Sequence, residues 1–319
     1  MLGKRLIIIG GKGGVGRTTV ACALALALAK RGRRVLLTHV RCERCEDQLK
    51  RLLDTDRVDE KIRAVGDNLW VTNMNPRAAI REMGVLILRF RAVSRAVLEN
   101  RIVRSLIRAL PAIDDYSMIG KAWYHTTETD AAGQPRFDTV IFDGPATGHL
   151  ISMLRIPQVI LDTVPKGPLT TDARDVRALL TDAKRTAMLI VTLAEEMPAS
   201  EGIDLYRAAT GDLAIAVKAL IVNQLYPDDA TRDPQVDAAI GDLAMTTAGT
   251  SDELGSAVRA AETLRRRRRN NEHYLAHLTQ TIPNPYQLHL AKQFTPSLDR
   301  PALQPIIDAL TPLLGEPAR

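Results

Sequence analysis

Cysteine is scarce in this chain: Cys22, Cys42 and Cys45 are the only three in 319 residues. Three thiols cannot staple a fold, which excludes a disulfide framework and agrees with a reducing compartment. Long apolar runs are missing too. The longest, near Val20 to Ala29, is about half of what a bilayer span needs, and no signal segment precedes the apolar run that starts at Leu6. A cytoplasmic chain without a transmembrane segment is expected. There is no excess of negative charge either, since the net charge is +6. That excess is local: between Arg77 and Leu110 eight arginines face only Glu82 and Glu99, and the rest of the chain sums to no net charge. Internal repeats are absent and nothing marks a second independent domain. Residues 1–319, with 45% hydrophobic content, suffice for one large domain that buries roughly three quarters of its unfolded surface.

What is present begins at Leu6. Four apolar residues, Leu6 to Ile9, read as a buried strand, run into a loop with five glycines, and give way to an alanine- and leucine-rich helix from Val20 to Lys30. Gly11, Gly13, Gly14 and Gly16 let backbone N–H groups converge on one point with no Cβ in the way, and the helix behind adds the positive end of its dipole. An anion belongs there. Gly11 to Thr18 fits G-x-x-x-x-G-K-[ST] except that Arg17 stands where lysine reaches the β- and γ-phosphates. A planar fork on a longer stem keeps the charge and loses the shape. Thr18 stands where a hydroxyl would ligand Mg²⁺. The same letters satisfy G-x-G-x-x-G at Gly11, Gly13 and Gly16, but the second strand, Val35 to Val40, ends without the acid that would hold a dinucleotide ribose. A nucleoside triphosphate is the better reading.

With Lys12 beside the first glycine, the loop resembles the deviant form K-G-G-x-G-[K/R]-T-T of the ParA/MinD/ArsA group of dimeric P-loop ATPases. The resemblance implies nucleotide contacts from Gly11, Lys12, Gly13, Gly14, Val15, Gly16, Arg17, Thr18 and Thr19, with Lys12 crossing a dimer interface to the partner's nucleotide. Phe137 to His149 (F-D-T-V-I-F-D-G-P-A-T-G-H) narrows it, because this stretch resembles the D-x-A-P-T-G-H switch of the arsenite-pump and tail-anchored-protein-targeting ATPases. It reads as a strand ending in Asp143 and a Gly/Pro turn into a helix. Asp143 would hold Mg²⁺ through water, and Gly144 and Gly148 belong to the turn that senses the γ-phosphate. Ala187 to Leu193 and Ala214 to Val222 read as further buried strands. The second ends in Asn223, which the resemblance puts on the adenine ring. Thr281-Ile282-Pro283 resembles the family's final strand and its proline-bearing loop near the adenine.

Two departures fall on the catalytic apparatus. Arg17 replaces the loop lysine, and Val40 occupies the place of the aspartate that positions the attacking water. A valine cannot orient or deprotonate water, so weak or no intrinsic hydrolysis is expected. Cys42-Glu43-Arg44-Cys45 is either half a tetrahedral zinc site or two small loop residues. The family's later zinc clasp is absent, since Ala261 and Leu264 precede Tyr274-Leu275. No cysteine follows Cys45, so arsenite binding is not supported.

Leu69 to Asn73 reads as a strand. From Pro76 to about Gly120 apolar residues at Leu86, Phe90, Val93 and Val97 follow the helical period with arginines between them. Together with a polar loop, Thr126 to Arg136, this gives a helical insertion of about 76–135. Its two readings are an amphipathic layer on the sheet and, at 77–120, a surface for a hydrophobic client. Arg265 to Arg269 form either a solvated helix face or a phosphate or lipid contact, and Pro301 to Leu314 form a closing helix. The fold class expected is α/β, a doubly wound, mostly parallel sheet with a P-loop and a helical insertion subdomain. The function expected is ATP binding with Mg²⁺ in a homodimer, or in a heterodimer with an active paralogue. The alternatives are an active homodimeric client-handling ATPase and a ParA/MinD-like protein on DNA or membrane surfaces. Nucleic acid ranks last because the switch and asparagine signatures favour the ArsA branch.

Overall fold

A computed structural model describes residues 1, 3–40, 43–75, 79, 113–226, 233–246, 253–295 and 297–315. Eight strands form one sheet: β1 (Leu6–Gly10), β2 (Val35–Val40), β3 (Arg63–Gly66), β4 (Leu69–Met74), β5 (Thr139–Asp143), β6 (Thr186–Leu193), β7 (Val217–Leu225) and β8 (Tyr286–Ala291). Their order is β3-β4-β2-β5-β1-β6-β7-β8. Every neighbouring pair is parallel except β3 with β4. The helices described are α1 (Arg17–Ala29), α2 (Glu43–Leu53), α3 (Ile113–Thr127), α4 (Thr147–Thr163), α5 (Pro168–Thr181), α6 (Glu196–Thr210), α7 (Pro234–Thr246), α8 (Glu253–Thr281) and α9 (Gln304–Leu314).

The alternation of side chains along β1 divides the core in two. Leu6 and Ile8 pack with Phe142, Met188 and Val222 and with Met118, Leu150, Leu179 and Ile203 from α3, α4, α5 and α6. Ile7 and Ile9 point the other way, to Leu37, Val71 and Ile221 and to Leu24, Leu49 and Leu310 from α1, α2 and α9. A strand apolar on both sides must be covered on both, and helices supply the cover. This is the doubly wound α/β fold expected. From Thr19 to Ala29 every residue of α1 is buried, which accounts for its unbroken Ala/Leu composition. The helix stops where Gly32, at φ 77°, donates its N–H to the Ala29 carbonyl.

Two expectations change. An edge strand, β3, lies antiparallel to β4 and was not anticipated; its burial alternates over only four residues. The final strand is Tyr286–Ala291, not Thr281-Ile282-Pro283: Thr281 closes α8, and the Ile282 N–H still donates to Leu278 of that helix. The proposed client segment 77–120 lies outside the described residues up to 112, Ala79 aside. Its last turns belong to α3, which continues past Gly120 to Thr127. The loop that follows is held by the Asp130 carboxylate, which accepts the N–H of Ala132 and Gln134 at 2.9 Å each.

Candidate nucleotide-binding site

In a parallel sheet the crevice outside the carboxyl ends of the strands is where ligands sit, at the point where the strand order reverses. Here β1 is that point, flanked by β5 and β6. The loop that leaves it is shaped by glycine at two places with no alternative. A Cβ on Gly11, at φ 147°, would lie 2.0 Å from the Val191 carbonyl oxygen, and one on Gly16, at φ 93°, would lie 2.4 Å from Asn223 Nδ2. Helix α1 starts at Arg17 with no side-chain cap and no acidic residue in its first turn, so its leading N–H groups face the loop's concavity.

The other side chains converge from neighbouring strand ends. Asp143, at the tip of β5, is 1% exposed, and its Oδ2 accepts a 2.7 Å hydrogen bond from Thr18 Oγ1. The same oxygen lies 2.7 Å from His39 Nδ1, in the adjacent strand β2. The other carboxylate oxygen, Oδ1, is buried without a hydrogen-bond partner among the described residues. A hydroxyl and an unsatisfied carboxylate oxygen are hard donors of the kind Mg²⁺ takes, directly or through water, so these residues fit that ion. Among the described residues no group of three or more His, Cys, Asp or Glu is placed to hold a metal. Cys42 lies outside the described residues, as does the side chain of Cys45. Cys22 is buried on α1, and burial pushes its thiol up, with Asp143 adding to the shift.

The two signature cations are both engaged by the chain itself. Arg17 Nη1 donates to the Gly144 carbonyl at 2.7 Å and to the Pro145 carbonyl. The guanidinium therefore ties the phosphate loop to the loop after Asp143. A Cβ on Gly144 would crowd Leu150 Cδ1 at 2.8 Å and the Ile9 carbonyl oxygen at 3.1 Å. Gly148 follows in the first turn of α4, exposed. Lys12 pairs with Glu201 on α6, each about a third exposed. An exposed pair of this kind contributes about 0–1 kcal/mol and is readily exchanged. Val15 and Thr19 are buried, Gly13 and Gly14 exposed, and Val40 half-buried at the end of β2.

At the far side of the loop, Asn223 Nδ2 donates to the Val15 carbonyl at 2.9 Å, and its Oδ1 accepts from the Gln224 N–H at 2.9 Å. The amide end of the carboxamide thus supports the phosphate loop, while its oxygen holds the turn after β7, where Gln224 adopts φ 57°. A contact with a base would exchange those bonds. Pro283 is elsewhere: it precedes β8, and β8 runs parallel to β7, so Pro283 lies at the amino ends of the strands, opposite the loop. The adenine contact expected of Pro283 is corrected on that ground.

What the sequence did not reveal is a cluster at the carboxyl ends of β7 and β8. The Tyr226 hydroxyl accepts from Arg267 at 2.6 Å and from Lys292 at 3.1 Å, and its ring stands 6.1 Å from that of Phe294. Partial burial acts to raise the Tyr226 phenol, but the hydrogen bonds from Lys292 and Arg267 outweigh it and hold the group below its ordinary value. Asn271 of α8 accepts from the Tyr226 N–H and donates to the Ala194 carbonyl, both at 3.0 Å. The arginine run is partly engaged by the chain: Arg265 and Arg269 meet Asp237, Arg267 meets Tyr226 and Arg268 meets Glu272, while Arg266, Arg267 and Arg269 stay exposed. His39 was also unanticipated, although it sits one residue before Val40 and in register with Asp143.

A Gly-shaped loop between a central parallel strand and an uncapped helix, with a hydroxyl and an acid beside it, defines a nucleotide-binding protein of the P-loop class. The family profile described as "Anion-transporting ATPase" matches residues 4–167 and 168–239. The chain belongs to that family, the ArsA ATPases, and so to the ATP-binding P-loop proteins. Among its relatives, ATPase BagA of Mycobacterium tuberculosis is 27% identical over 299 residues, covering 93% of this chain and 84% of BagA. The arsenical pump-driving ATPase of Escherichia coli is 28% identical over 246 residues, 72% of this chain and 41% of the pump ATPase. ATPase GET3 of Candida glabrata is 30% identical over 176 residues, 50% of this chain and 47% of GET3. Among the described residues no helix is long and apolar enough to cross a membrane.

Proposed function

We propose that this chain binds ATP with Mg²⁺, works as one half of a dimer and hydrolyses ATP weakly or not at all. The observation that carries the reading is Arg17. Its guanidinium reaches past the loop to the Gly144 and Pro145 carbonyls, where a lysine ammonium would remain over the phosphates. Val40 supports it from the other side of the reaction, because no carboxylate stands there to direct water. Catalysis of phosphoryl transfer is mostly positioning and charge stabilisation, so both changes act on the rate and spare the binding groups. The phosphates would rest on the N–H groups of residues 11–18. Thr18 and Asp143 would hold Mg²⁺, which would supply positive charge beside the phosphates.

Lys12 remains available in this reading. Its weak pair with Glu201 would open on assembly, so that its ammonium reaches the nucleotide of a competent paralogue. Such a heterodimer would use this chain as its silent subunit. The test is equilibrium binding of ATP with Mg²⁺ by the purified chain, followed by turnover under the same conditions. Tight binding with negligible turnover is expected, and turnover at an ordinary ATPase rate would contradict the proposal.

A second reading, an active homodimer that handles a hydrophobic protein client, draws on one observation. Helix α7 buries none of its residues, and Val236, Leu243 and Met245 on it are exposed together with Leu254 at the start of α8. ATP-dependent retention of an apolar peptide would favour it.

A further inference from the structure

We propose that His39 is a positioning residue for the metal end of this site, holding Asp143 by one oxygen so that the other stays directed at the cation. The inference rests on the ATP–Mg²⁺ reading above and goes beyond it in giving a role to a residue outside the phosphate loop and the switch.

The geometry is specific. His39 and Asp143 occupy paired positions on adjacent parallel strands, and they are 6% and 1% exposed. A carboxylate accepts and cannot donate, so at the 2.7 Å contact His39 Nδ1 carries the hydrogen. Thr18 Oγ1 donates to the same oxygen, also at 2.7 Å. Two donors on Oδ2 fix the carboxylate's rotation and leave Oδ1 buried and unpartnered among the described residues. Because the Thr18 hydroxyl gives its hydrogen to Asp143, the lone pairs of its oxygen remain for a cation. An unpartnered buried acceptor costs stability, about 1–3 kcal/mol for a neutral group and more for a charged one, so its persistence points to a ligand that satisfies it. Without the imidazole, the Thr18 hydroxyl alone would hold Asp143, and the carboxylate would be free to swing Oδ1 toward it.

Groups that orient a metal's own ligand typically contribute about 10–100-fold in metal affinity. The experiment is ADP binding by the full chain, with Mg²⁺ and with the metal chelated, which separates the metal-dependent gain from the binding of phosphates to backbone. His39→Ala, and the volume-filling His39→Leu should alanine prevent folding, are expected to lose about tenfold of that gain and to leave metal-free binding unchanged. His39→Asn, whose amide N–H falls near the place of Nδ1, is expected to restore it. The proposal is overturned if the donor-less variants keep the full gain, if metal-free binding falls by the same factor, or if Asn fails to restore the gain at an unchanged melting temperature. A wild-type chain that binds no ADP, or gains nothing from Mg²⁺, would overturn the nucleotide reading itself and this inference with it. A normal gain in wild type that survives loss of the imidazole overturns the role of His39 alone.

Discussion

Helices α1 and α7 are each 13 residues long and alanine-rich, yet they lie at opposite extremes. In α1 everything from Thr19 to Ala29 is buried; in α7 nothing is. The first carries the phosphate loop on its amino end and is gripped by β1, β2, α2 and α9. Among the described residues the second packs on α8, where Asp237 pairs with Arg265 and Arg269. The difference teaches where this fold is rigid. A loop that must present several N–H groups to one point needs a helix that cannot shift, while α7 serves no such constraint.

The contrast can be broken most severely at Leu24, fully buried in α1. Leu24→Lys would bury an unpaired charge and is expected to abolish cooperative folding, whereas Leu243→Lys in α7 leaves the melting temperature near that of wild type. Thermal unfolding followed by circular dichroism checks both. The milder Leu24→Ala should cost about 2–5 kcal/mol in chemical denaturation and Leu243→Ala at most about 0.5 kcal/mol.

Asn223→Ala sharpens the comparison at the loop itself. It removes the donor to the Val15 carbonyl and should cost about 1–3 kcal/mol in stability, with weaker ADP binding by calorimetry because the loop loses its support.

The smallest effect belongs to the sheet's far edge, where Asp59 holds β3. Hydrogen bonds from Arg63 lead the causes that bring its carboxyl to about 2 from 3.8. A folded value below the unfolded one means that Asp59 stabilises the chain above about pH 4, and that this contribution disappears as pH falls toward 2. The difference in stability between wild type and Asp59→Asn should therefore be constant at neutral pH and close to zero near pH 2. A difference that does not change with pH would remove Asp59 from the edge's support.

How much of this was legible in the sequence follows the same division. Strand, glycine loop and helix around α1 were readable because local chemistry and burial agree there: the apolar run is continuous, the glycines are sterically required, and Gly32 stops the helix. The β5 tip and its Asp143 were readable for the same reason. Strand β3 was not, since Arg63-Ala64-Val65-Gly66 is too short and too polar on one face to stand out from a loop. Pro283 was misplaced because helix α8 runs on through Thr281, and a helix of 29 residues has no apolar signal that marks where it ends. His39 was overlooked because alternation turns it away from Val40, and only the register between β2 and β5 brings it to Asp143. The arginine run left two readings open, a solvated face and a phosphate or lipid contact, because sequence gives charge without partners; Arg266, Arg267 and Arg269 are exposed, and the partners Asp237, Tyr226 and Glu272 come from elsewhere in the chain or its next turn.

The central claim is that Arg17 and Val40 silence a site whose binding groups are intact. It is tested most directly by single-turnover hydrolysis of Mg²⁺–ATP by the wild-type chain beside Arg17→Lys combined with Val40→Asp. Comparable ATP affinity is expected in both, with a hydrolysis rate at least about 100-fold higher in the double variant, in line with a positioning group and a charge clamp each contributing several kcal/mol. Equal rates at equal affinity, whether both fast or both slow, would contradict it.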